Sequence, residues 1–385
     1  MSVGKRTADS CNDGRQVMYY VNENIKKCIR VFPEQGRYGY YRYDMNENPE
    51  GLPADFVNEV LKEITPEFLS VYPEPDRFLC KYAGYIGTSY GNVLATNGSD
   101  MAIRYLLEVF CEKGKVVLTV TPSFEMYAVN CNILGLKHKT VSYKEDLSID
   151  VNEIVDSITE ETDIVVLLNP NNPVGNTYTE EELEKIIRKA WKNSAIVIID
   201  EAYHYFYKNT FLTYALEWDN VVVLRTFSKL FSLAACRLGI IISNPDIIDY
   251  VKKSKLTFDV NSIALLFAER LLDHREIIDK LVQDADAGKT YILNKLRESG
   301  YKVRDCRGNF ILIETRKKPT ELEKTLKEEY KILVKTYRNE LLKKYVRVST
   351  GSVKTMEFFI QKFLGVDYEM KGGDETDECQ HRKTI

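Results

Sequence analysis

Residues 195–229 read AIVIIDEAYHYFYKNTFLTYALEWDNVVVLRTFSK, and two short runs within them indicate the type of fold. These runs, Ala195–Ile199 and Val221–Leu224, are rich in β-branched residues. Neither run alternates apolar with polar residues, which is typical of strands covered by helices on both faces. Three further runs share this property: Val116–Thr121, Ile164–Leu168 and Leu238–Ile242. Together the runs predict the strands of one buried sheet.

Helical patterns lie between several of these runs. The clearest begins at Thr179, where Glu182 completes a capping box. Leu183, Ile186 and Ile187 then follow the spacing of one helix face. Strands that alternate with helices favour an α/β fold, so we predict a large domain with a mostly parallel sheet flanked by helices. In such sheets, ligand-binding residues gather at the carboxyl ends of the strands.

The second half of the chain has a different pattern. One long helical stretch is predicted over residues 246–299, and a shorter helix is predicted over Thr320–Tyr330. Four short strand candidates lie around the shorter helix: Tyr301–Val303, Phe310–Glu314, Ile332–Val334 and Val346–Ser349. This mixture predicts a second, smaller α+β domain.

These patterns divide the chain into four predicted segments: an N-terminal arm (residues 1–44), a large domain (45–270), the small C-terminal domain (271–367) and a disordered tail (368–385). The arm is expected to become helical around Val17–Val31. We expect it to join the smaller domain, because an isolated arm needs a surface to pack against. The tail is polar and without periodicity, which is typical of disorder.

The composition argues against several classes of protein. The chain has 385 residues with 53 Lys and Arg against 57 Asp and Glu, and this net charge of −4 argues against nucleic-acid binding. No apolar run approaches the ~18 residues that a membrane helix needs, and the first residues lack an apolar signal core. We therefore expect a cytoplasmic protein without membrane contact. The 8 Cys form no C-x-x-C pair, which argues against a zinc site.

Polar residues follow the central strands at the points where we expect each strand to end. They are Asn169–Gly175, Asp200–Tyr203 and Arg225–Lys229, with Arg237 before the last strand and Asn97–Asp100 at a helix start. Taken singly, each has an ordinary explanation, because Asp200 or Ser99 can simply cap a helix. Together they place an amide, an acid, a phenol, a hydroxyl, a lysine and an arginine at one edge of the predicted sheet.

Pyridoxal phosphate needs this set of groups. Its aldehyde is held by a lysine as a Schiff base, and its pyridine nitrogen needs a carboxylate that keeps the nitrogen protonated. Its phosphate needs a helix N-terminus, hydroxyls and an arginine, and its phenolic oxygen needs neutral hydrogen-bond donors. The candidates are, in the same order, Lys229, Asp200, the Gly98–Asp100 helix start with Ser228 and Arg237, and Asn172 with Tyr203.

At these residues the sequence resembles the class I/II aminotransferases, a fold type I family that depends on pyridoxal phosphate, and within it the histidinol-phosphate aminotransferase group. The resemblance extends over residues 45–352 and follows the order of the family's motifs. The matching segments are Asn46–Pro49, Tyr72-Pro73, Asn97–Asp100, Pro122–Phe124, Asn169–Gly175, Asp200–Tyr203, Thr226–Arg237, Asn309-Phe310 and Val346–Val348.

The resemblance implies a role for each matching residue and a homodimer with a shared active site. Lys229 would carry the Schiff base and move the substrate's α-proton, and Asp200 would pair with the pyridine nitrogen. The rest of the cofactor site would comprise Asn172 and Tyr203 at the ring oxygen, Phe124 on the ring, and Gly98, Ser99, Asp100, Thr226, Ser228 and Arg237 around the phosphate. Tyr72 would reach the cofactor phosphate of the neighbouring subunit and contact substrate there.

On the same resemblance, Arg347 would bind a substrate anion, with Asn172 nearby. Two positions depart from the group's pattern. Phe124 replaces a Tyr that stacks on the ring, so the stacking remains but the hydroxyl is lost. Lys335 replaces a second substrate-binding Arg, which keeps the charge but loses the two-pronged grip on an anion.

The resemblance implies an aminotransferase that acts on a small phosphorylated amino compound, with glutamate as the expected amino donor. An alternative is a decarboxylase of threonine phosphate or serine phosphate on the same scaffold, since the sequence does not determine which bond at Cα breaks. A non-catalytic binding protein is a third hypothesis. The presence of both Lys229 and Asp200 argues against it, because a degenerate site would be free to lose them.

Overall fold

A computed structural model describes residues 19–28, 30, 32 and 35–367. The predicted tail, residues 368–385, lies outside the described residues, as does the start of the predicted Val17–Val31 helix. Within the described residues that helix is shorter than predicted and covers only Glu23–Lys27.

The helices, in chain order, are α1 (Glu23–Lys27), α2 (Ala54–Leu61), α3 (Pro66–Ser70), α4 (Asp76–Ile86), α5 (Gly98–Phe110), α6 (Met126–Leu134), α7 (Val151–Ser157), α8 (Glu180–Lys192), α9 (Leu212–Glu217), α10 (Pro245–Ser254), α11 (Ser262–Asp273), α12 (Arg275–Glu298), α13 (Pro319–Tyr330) and α14 (Val353–Val366). The strands are β1 (Tyr41–Arg42), β2 (Val93–Asn97), β3 (Val116–Thr121), β4 (Lys137–Ser142), β5 (Thr162–Leu168), β6 (Ile196–Asp200), β7 (Val221–Thr226), β8 (Leu238–Ile242), β9 (Val303–Cys306), β10 (Phe310–Glu314), β11 (Ile332–Leu333), β12 (Lys335–Thr336) and β13 (Tyr345–Ser349).

A seven-stranded sheet forms the centre of the large domain, in the order β2-β8-β7-β6-β5-β3-β4. Strand β8 is antiparallel to both neighbours, and the other pairs are parallel. Successive residues of β5 enter opposite core clusters, with Ile164 in one and Val165 in the other. Helices therefore cover both faces, and the predicted α/β fold is confirmed.

The sequence patterns identified the five central strands but not β2 and β4, which form the two edges of the sheet. Strand β4 exposes Lys137 and Lys139, so it lacks the continuous apolar run that marks the central strands. Its polar composition explains why it was missed.

The helix prediction was right at α8, and residues 246–299 are largely helical as predicted, although the stretch is divided. At α8 the Thr179 hydroxyl accepts from the Glu182 amide at 3.2 Å, and the Glu182 carboxylate accepts from the Thr179 amide at 2.8 Å. Residues 246–299 contain the separate helices α10, α11 and α12. The chain breaks before α11 because the Asn261 side chain caps that helix, accepting from the Ala264 amide at 2.8 Å.

The smaller part of the molecule contains an antiparallel sheet in the order β12-β13-β10-β9. The strand predicted over Tyr301–Val303 is displaced towards the C-terminus, at β9, and the one predicted over Ile332–Val334 divides into β11 and β12. Strand β1 pairs with β11, so the N-terminal segment joins this part as expected. The domain boundary at residue 271 stays a prediction, because α12 contributes Ile278 to one core cluster and Ile292 to another.

No helix within the described residues is long and apolar enough to cross a membrane. The same residues contain no group of three or more potential ligands that could hold a metal ion.

Candidate active site

The carboxyl ends of β5, β6 and β7 meet at one edge of the large sheet. Strand β5 continues into the Asn169–Gly175 turn, β6 ends at Asp200, and Lys229 follows β7. In the register of the sheet, Asp200 lies opposite Leu168 of β5 and Leu224 of β7. The parallel strands thus place the polar residues that follow them side by side.

Asp200 is a buried carboxylate with two hydrogen bonds. It accepts from the Tyr127 hydroxyl at 2.9 Å and from the Ala202 amide at 3.1 Å. Burial nevertheless raises the pKa of Asp200 to about 6, since its two bonds only partly replace water. A cation beside this carboxylate, such as a protonated pyridine nitrogen, would stabilise its charged form.

Lys229 lies in the loop between β7 and β8 and points at the N-terminal segment. Its Nζ donates to the Met45 carbonyl oxygen at 3.0 Å. Burial, together with the positive charge of Arg347, lowers the pKa of Lys229 to about 8. Much of this amine is therefore neutral near pH 8, which is the form that attacks an aldehyde or takes a proton.

The residues predicted to hold the ring oxygen have partners in other parts of the chain. The buried Tyr203 hydroxyl accepts from Asn46 Nδ2 at 2.8 Å, and burial raises the pKa of Tyr203 to about 12. Asn172 Oδ1 accepts from Arg347 Nη1 at 2.6 Å. The phenol therefore keeps its proton at neutral pH and can donate to an anionic oxygen.

The start of α5 faces Arg237. Gly98 has a φ of +74°, a left-handed conformation that favours glycine, and a Cβ there would lie 2.6 Å from Arg237 Nη2. Arg237 donates to Asp100 Oδ2 at 3.1 Å and to Ser228 Oγ at 3.4 Å. The backbone of Ser99 is equally close to β8, since a Cβ at Gly239 would lie 2.5 Å from the Ser99 amide nitrogen.

Ser228 is held in turn by Thr226, whose hydroxyl accepts from the Ser228 amide at 3.1 Å. A helix N-terminus, the Ser228 hydroxyl and the Arg237 guanidinium thus lie close together. This donor set suits a phosphate. With the buried Asp200 and the amine of Lys229, the residues present fit pyridoxal phosphate.

Arg347 lies on β13, at the other end of the site. It is buried and also donates to the Asp44 carbonyl oxygen. Lys335 of β12 is its direct partner in the antiparallel register. Side chains of such a pair lie on the same face of a sheet, so the two cations are neighbours. Arg347 is buried and Lys335 is exposed.

Phe124 and Tyr72 differ in their surroundings. Phe124 is partly buried and packs against the core cluster on one face of the sheet. Tyr72 is 72% exposed, and its ring stacks on Phe258 with 4.4 Å between the ring centroids. The structure thus does not bring Tyr72 into the site of its own chain.

Sequence reasoning assigned no role to Tyr127, Met45 or the pair Glu201 and Arg225. Glu201 Oε2 accepts from Arg225 Nε at 3.1 Å and from Arg225 Nη2 at 3.0 Å, and both side chains are buried. Glu201 directly follows Asp200, and Arg225, on β7, precedes Lys229 in the chain. The ion pair therefore connects the segment that carries Asp200 to the segment that carries Lys229. Glu201 and Arg225 both belong to motifs that were recognised in the sequence. Only the three-dimensional structure shows that their side chains face each other.

Comparisons with known proteins agree with this arrangement. The sequence model of the family "Aminotransferase class I and II" matches residues 44–363. A histidinol-phosphate aminotransferase of Clostridium novyi is 32% identical over 349 residues, which is 90% of this chain and 97% of the relative. That of Thermotoga maritima is 33% identical over 283 residues, covering 72% of this chain and 80% of the relative.

Solved structures show the same fold. The histidinol-phosphate aminotransferase of Sinorhizobium meliloti, in complex with pyridoxal-5'-phosphate, aligns with a TM-score of 0.81 at 20% identity and covers 91% of this chain and 98% of that one. The enzyme of Clostridium acetobutylicum aligns with a TM-score of 0.77 at 23% identity, over 85% and 98% of the two chains. The family match and the relatives show that the chain belongs to the class I and II aminotransferases, whose cofactor is pyridoxal phosphate, and within them to the histidinol-phosphate aminotransferase-like subgroup.

Proposed function

We propose that this aminotransferase moves an amino group from glutamate to a small phosphorylated keto compound, with imidazole acetol phosphate as the first candidate. The observation that carries the proposal is the pairing of Arg347 with Lys335 at the substrate end of the site. Two neighbouring cations suit an anionic substrate. The names of the relatives, histidinol-phosphate aminotransferases, support a phosphorylated compound.

Pyridoxal phosphate, when bound, accepts the electron pair that remains when a bond at Cα breaks. The residues around it have separate tasks in the proposal. The Asp200 carboxylate would keep a proton at the pyridine nitrogen, and Asn172 and Tyr203 would bind the ring oxygen. Gly98, Ser99, Ser228 and Arg237 bind the phosphate, with Asp100 and Thr226 fixing the Arg237 and Ser228 side chains.

Lys229 has two tasks in this proposal. Its neutral amine would hold the cofactor through the aldehyde, and when free it would take the proton from the substrate Cα. A pKa of about 8 suits both tasks, since the neutral form is available near neutral pH. Phe124 covers the ring, and Arg347 orients the substrate anion.

We also propose a homodimer in which Tyr72 completes the partner's site. Tyr72 and Phe258 are exposed and stacked on each other, and their chain neighbours Val71 and Leu256 are also exposed. Apolar residues grouped in this way are typical of a protein interface. The expected cytoplasmic location stays a prediction.

The test is to incubate the purified protein and pyridoxal phosphate with glutamate and imidazole acetol phosphate, and to measure 2-oxoglutarate and histidinol phosphate. We expect both products in equal amounts. Release of carbon dioxide from threonine phosphate or serine phosphate without any keto acceptor would instead support the decarboxylase that the sequence left open. Failure of glutamate and other amino donors to yield a keto acid would contradict the proposal.

A further inference from the structure

Arg37 closes a short bend of the N-terminal segment, formed by residues 44–47. Its Nη2 donates to Asp44 Oδ1 at 2.7 Å and to Glu47 Oε2 at 2.9 Å, and its Nη1 donates to Glu47 Oε1 at 2.9 Å. All three side chains are largely shielded from water. One guanidinium thus holds both ends of the bend, and a two-pronged bond to a carboxylate fixes direction as well as distance.

The residues inside the bend contact the candidate active site. The Met45 carbonyl oxygen accepts from Lys229 Nζ at 3.0 Å. The Asn46 side chain, next in the chain, donates to the Tyr203 hydroxyl at 2.8 Å. The Met45 carbonyl belongs to the same peptide group as the Asn46 amide, which donates to Ser349 Oγ at 2.8 Å. Ser349 therefore holds this peptide group at the centre of the bend, whereas the ion pairs hold its two ends.

The Glu47 carboxylate carries a negative charge that acts on the lysine. Burial raises the pKa of Glu47, but the hydrogen bonds from Arg37 outweigh burial and, with the charges of Arg37, Arg42 and Lys229, bring the pKa below its ordinary value. In return, the charge of Glu47 raises the pKa of Lys229. Arg37 thus directs this carboxylate and stabilises its ionised form.

We propose that Arg37 is a positioning residue for Lys229. By joining Asp44 to Glu47, it keeps the Met45 carbonyl oxygen in place as an acceptor for the free lysine amine. The same ion pairs keep the Glu47 charge directed at that amine. A reacting group that is already oriented loses less freedom at the chemical step, which is how a positioning contact raises a rate.

Charged and titratable groups from several elements surround the amine. Burial and the charges of Arg347 on β13 and Arg237 before β8 lower the pKa of Lys229, whereas Glu47 and Asp100 on α5 raise it. The Tyr203 ring lies on another side, with its centroid 6.0 Å from Lys229 Nζ. The bond to the Met45 carbonyl stabilises the protonated amine more than the neutral amine. Loss of this bond should therefore lower the pKa of the free lysine.

This inference rests on the proposed role of Lys229, and the experiment separates the two. Full-length protein is loaded with pyridoxamine phosphate, which has no aldehyde and leaves the amine free. The rate at which acetic anhydride labels Lys229 is measured against pH by peptide mass spectrometry. Arg37→Lys keeps the positive charge but loses the two-pronged grip, so a shift in this variant reports a change of position.

We expect Arg37→Lys to lower the apparent pKa of Lys229 by about one unit, the size expected when a hydrogen bond to a charged group is lost. Glu47→Gln should lower the pKa further, because it also removes a negative charge. Arg42→Lys is the matched control and should keep the wild-type value. Arg42 also pairs with Glu47, but through a single longer contact of 3.4 Å.

An unchanged pKa in Arg37→Lys would overturn the inference, because it would show that the Ser349 bond alone holds the Met45 carbonyl. An equal shift in Arg42→Lys would also overturn it, because any altered cation beside Glu47 would then have the same effect. If Arg37→Lys does not fold, Asp44→Ala takes its place, since it frees one end of the bend. The same downward shift is expected there, and an unchanged pKa overturns the inference.

Borohydride reduction of the wild-type protein loaded with pyridoxal phosphate tests the role of Lys229 itself. A reduced link at Lys229 together with unshifted labelling in Arg37→Lys would leave the proposed function intact and reject only the role of Arg37. A reduced link at another lysine would reject both.

Discussion

Arg347 Nη1 donates to Asn172 Oδ1 at 2.6 Å, and this bond connects the small antiparallel sheet to the turn after the central strand β5. The two residues are 175 positions apart in the chain. The same guanidinium also donates to the Asp44 carbonyl oxygen, so three separate segments converge on it. A residue held from several directions can present a fixed charge to a substrate.

Arg347→Lys should weaken substrate binding much more than cofactor binding. Lysine keeps the positive charge but cannot make the planar, two-pronged contact with an anion or keep both present bonds. We expect KM for the phosphorylated substrate to rise about 10-fold to 100-fold. This is the effect expected from the loss of one or two charge-assisted hydrogen bonds. Steady-state kinetics and absorbance titration with pyridoxal phosphate measure the two effects. Arg338→Lys, on an exposed residue, is the matched control. Equal losses in substrate and cofactor affinity would contradict this role.

Lys335 should contribute to substrate affinity from the border of the site. Lys335→Met removes the charge that lies opposite Arg347 in the register, and we expect KM to rise several-fold, about the effect of one partly exposed ion pair. Lys335→Arg should lower KM, because the two-pronged grip returns. Lys343→Met changes a lysine elsewhere on the exposed surface and should leave KM unchanged. If both Lys335 variants match the wild type, the second cation does not contact substrate.

Asp200 should make the cofactor-free protein less stable as pH rises. Its folded pKa of about 6 lies above the ordinary value of 3.8, so the folded protein binds the proton more tightly than the unfolded chain. The resulting stabilisation is complete below about pH 4 and is lost as pH rises through about 6, to a total of up to ~3 kcal/mol.

Asp200→Asn removes this titration. The melting temperature of the variant relative to that of the wild type should therefore increase from pH 4 to pH 7, as followed by circular dichroism without cofactor. A constant difference between the two proteins would show that Asp200 keeps an ordinary pKa. With pyridoxal phosphate added, the variant should turn over substrate about 100-fold to 1000-fold more slowly, the loss typical of one preorganised electrostatic contact.

The buried pair of Glu201 and Arg225 should stabilise the segments that carry Asp200 and Lys229. Arg225→Met leaves the Glu201 carboxylate buried without its cation, which costs about 3–5 kcal/mol. The double variant Glu201→Gln with Arg225→Met should recover much of that loss, because no unpaired charge remains. Thermal unfolding of the two variants and the wild type measures this. A double variant that is less stable than Arg225→Met would contradict the ion-pair explanation.

Subunit mixing tests the proposed position of Tyr72. Tyr72→Ala and Lys229→Ala should each be nearly inactive alone, because each homodimer has two damaged sites. A heterodimer would combine Lys229 of one chain with Tyr72 of the other in one intact site. We therefore expect co-expression of the two variants to restore up to half of the wild-type activity per dimer. If activity does not return, Tyr72 acts within its own chain or not at all.

The placement of Lys229, Asp200 and Asn172 was accessible from the sequence because each follows a buried parallel strand, and such strands end at one edge of a sheet. Contacts between residues that are far apart in the chain could not be predicted in this way. Asn46 bonds to Tyr203 from 157 positions away. The edge strand β4 was missed because its exposed lysines interrupt the apolar pattern.

The proposed chemistry depends on a bond between the Lys229 amine and the pyridoxal phosphate aldehyde. Sodium borohydride reduction of the loaded protein, followed by digestion and mass spectrometry, detects this bond. We expect a stable pyridoxyl phosphate adduct on the peptide that contains Lys229, and no adduct in Lys229→Ala. An adduct on a different lysine, or an undiminished adduct in Lys229→Ala, would contradict the assignment.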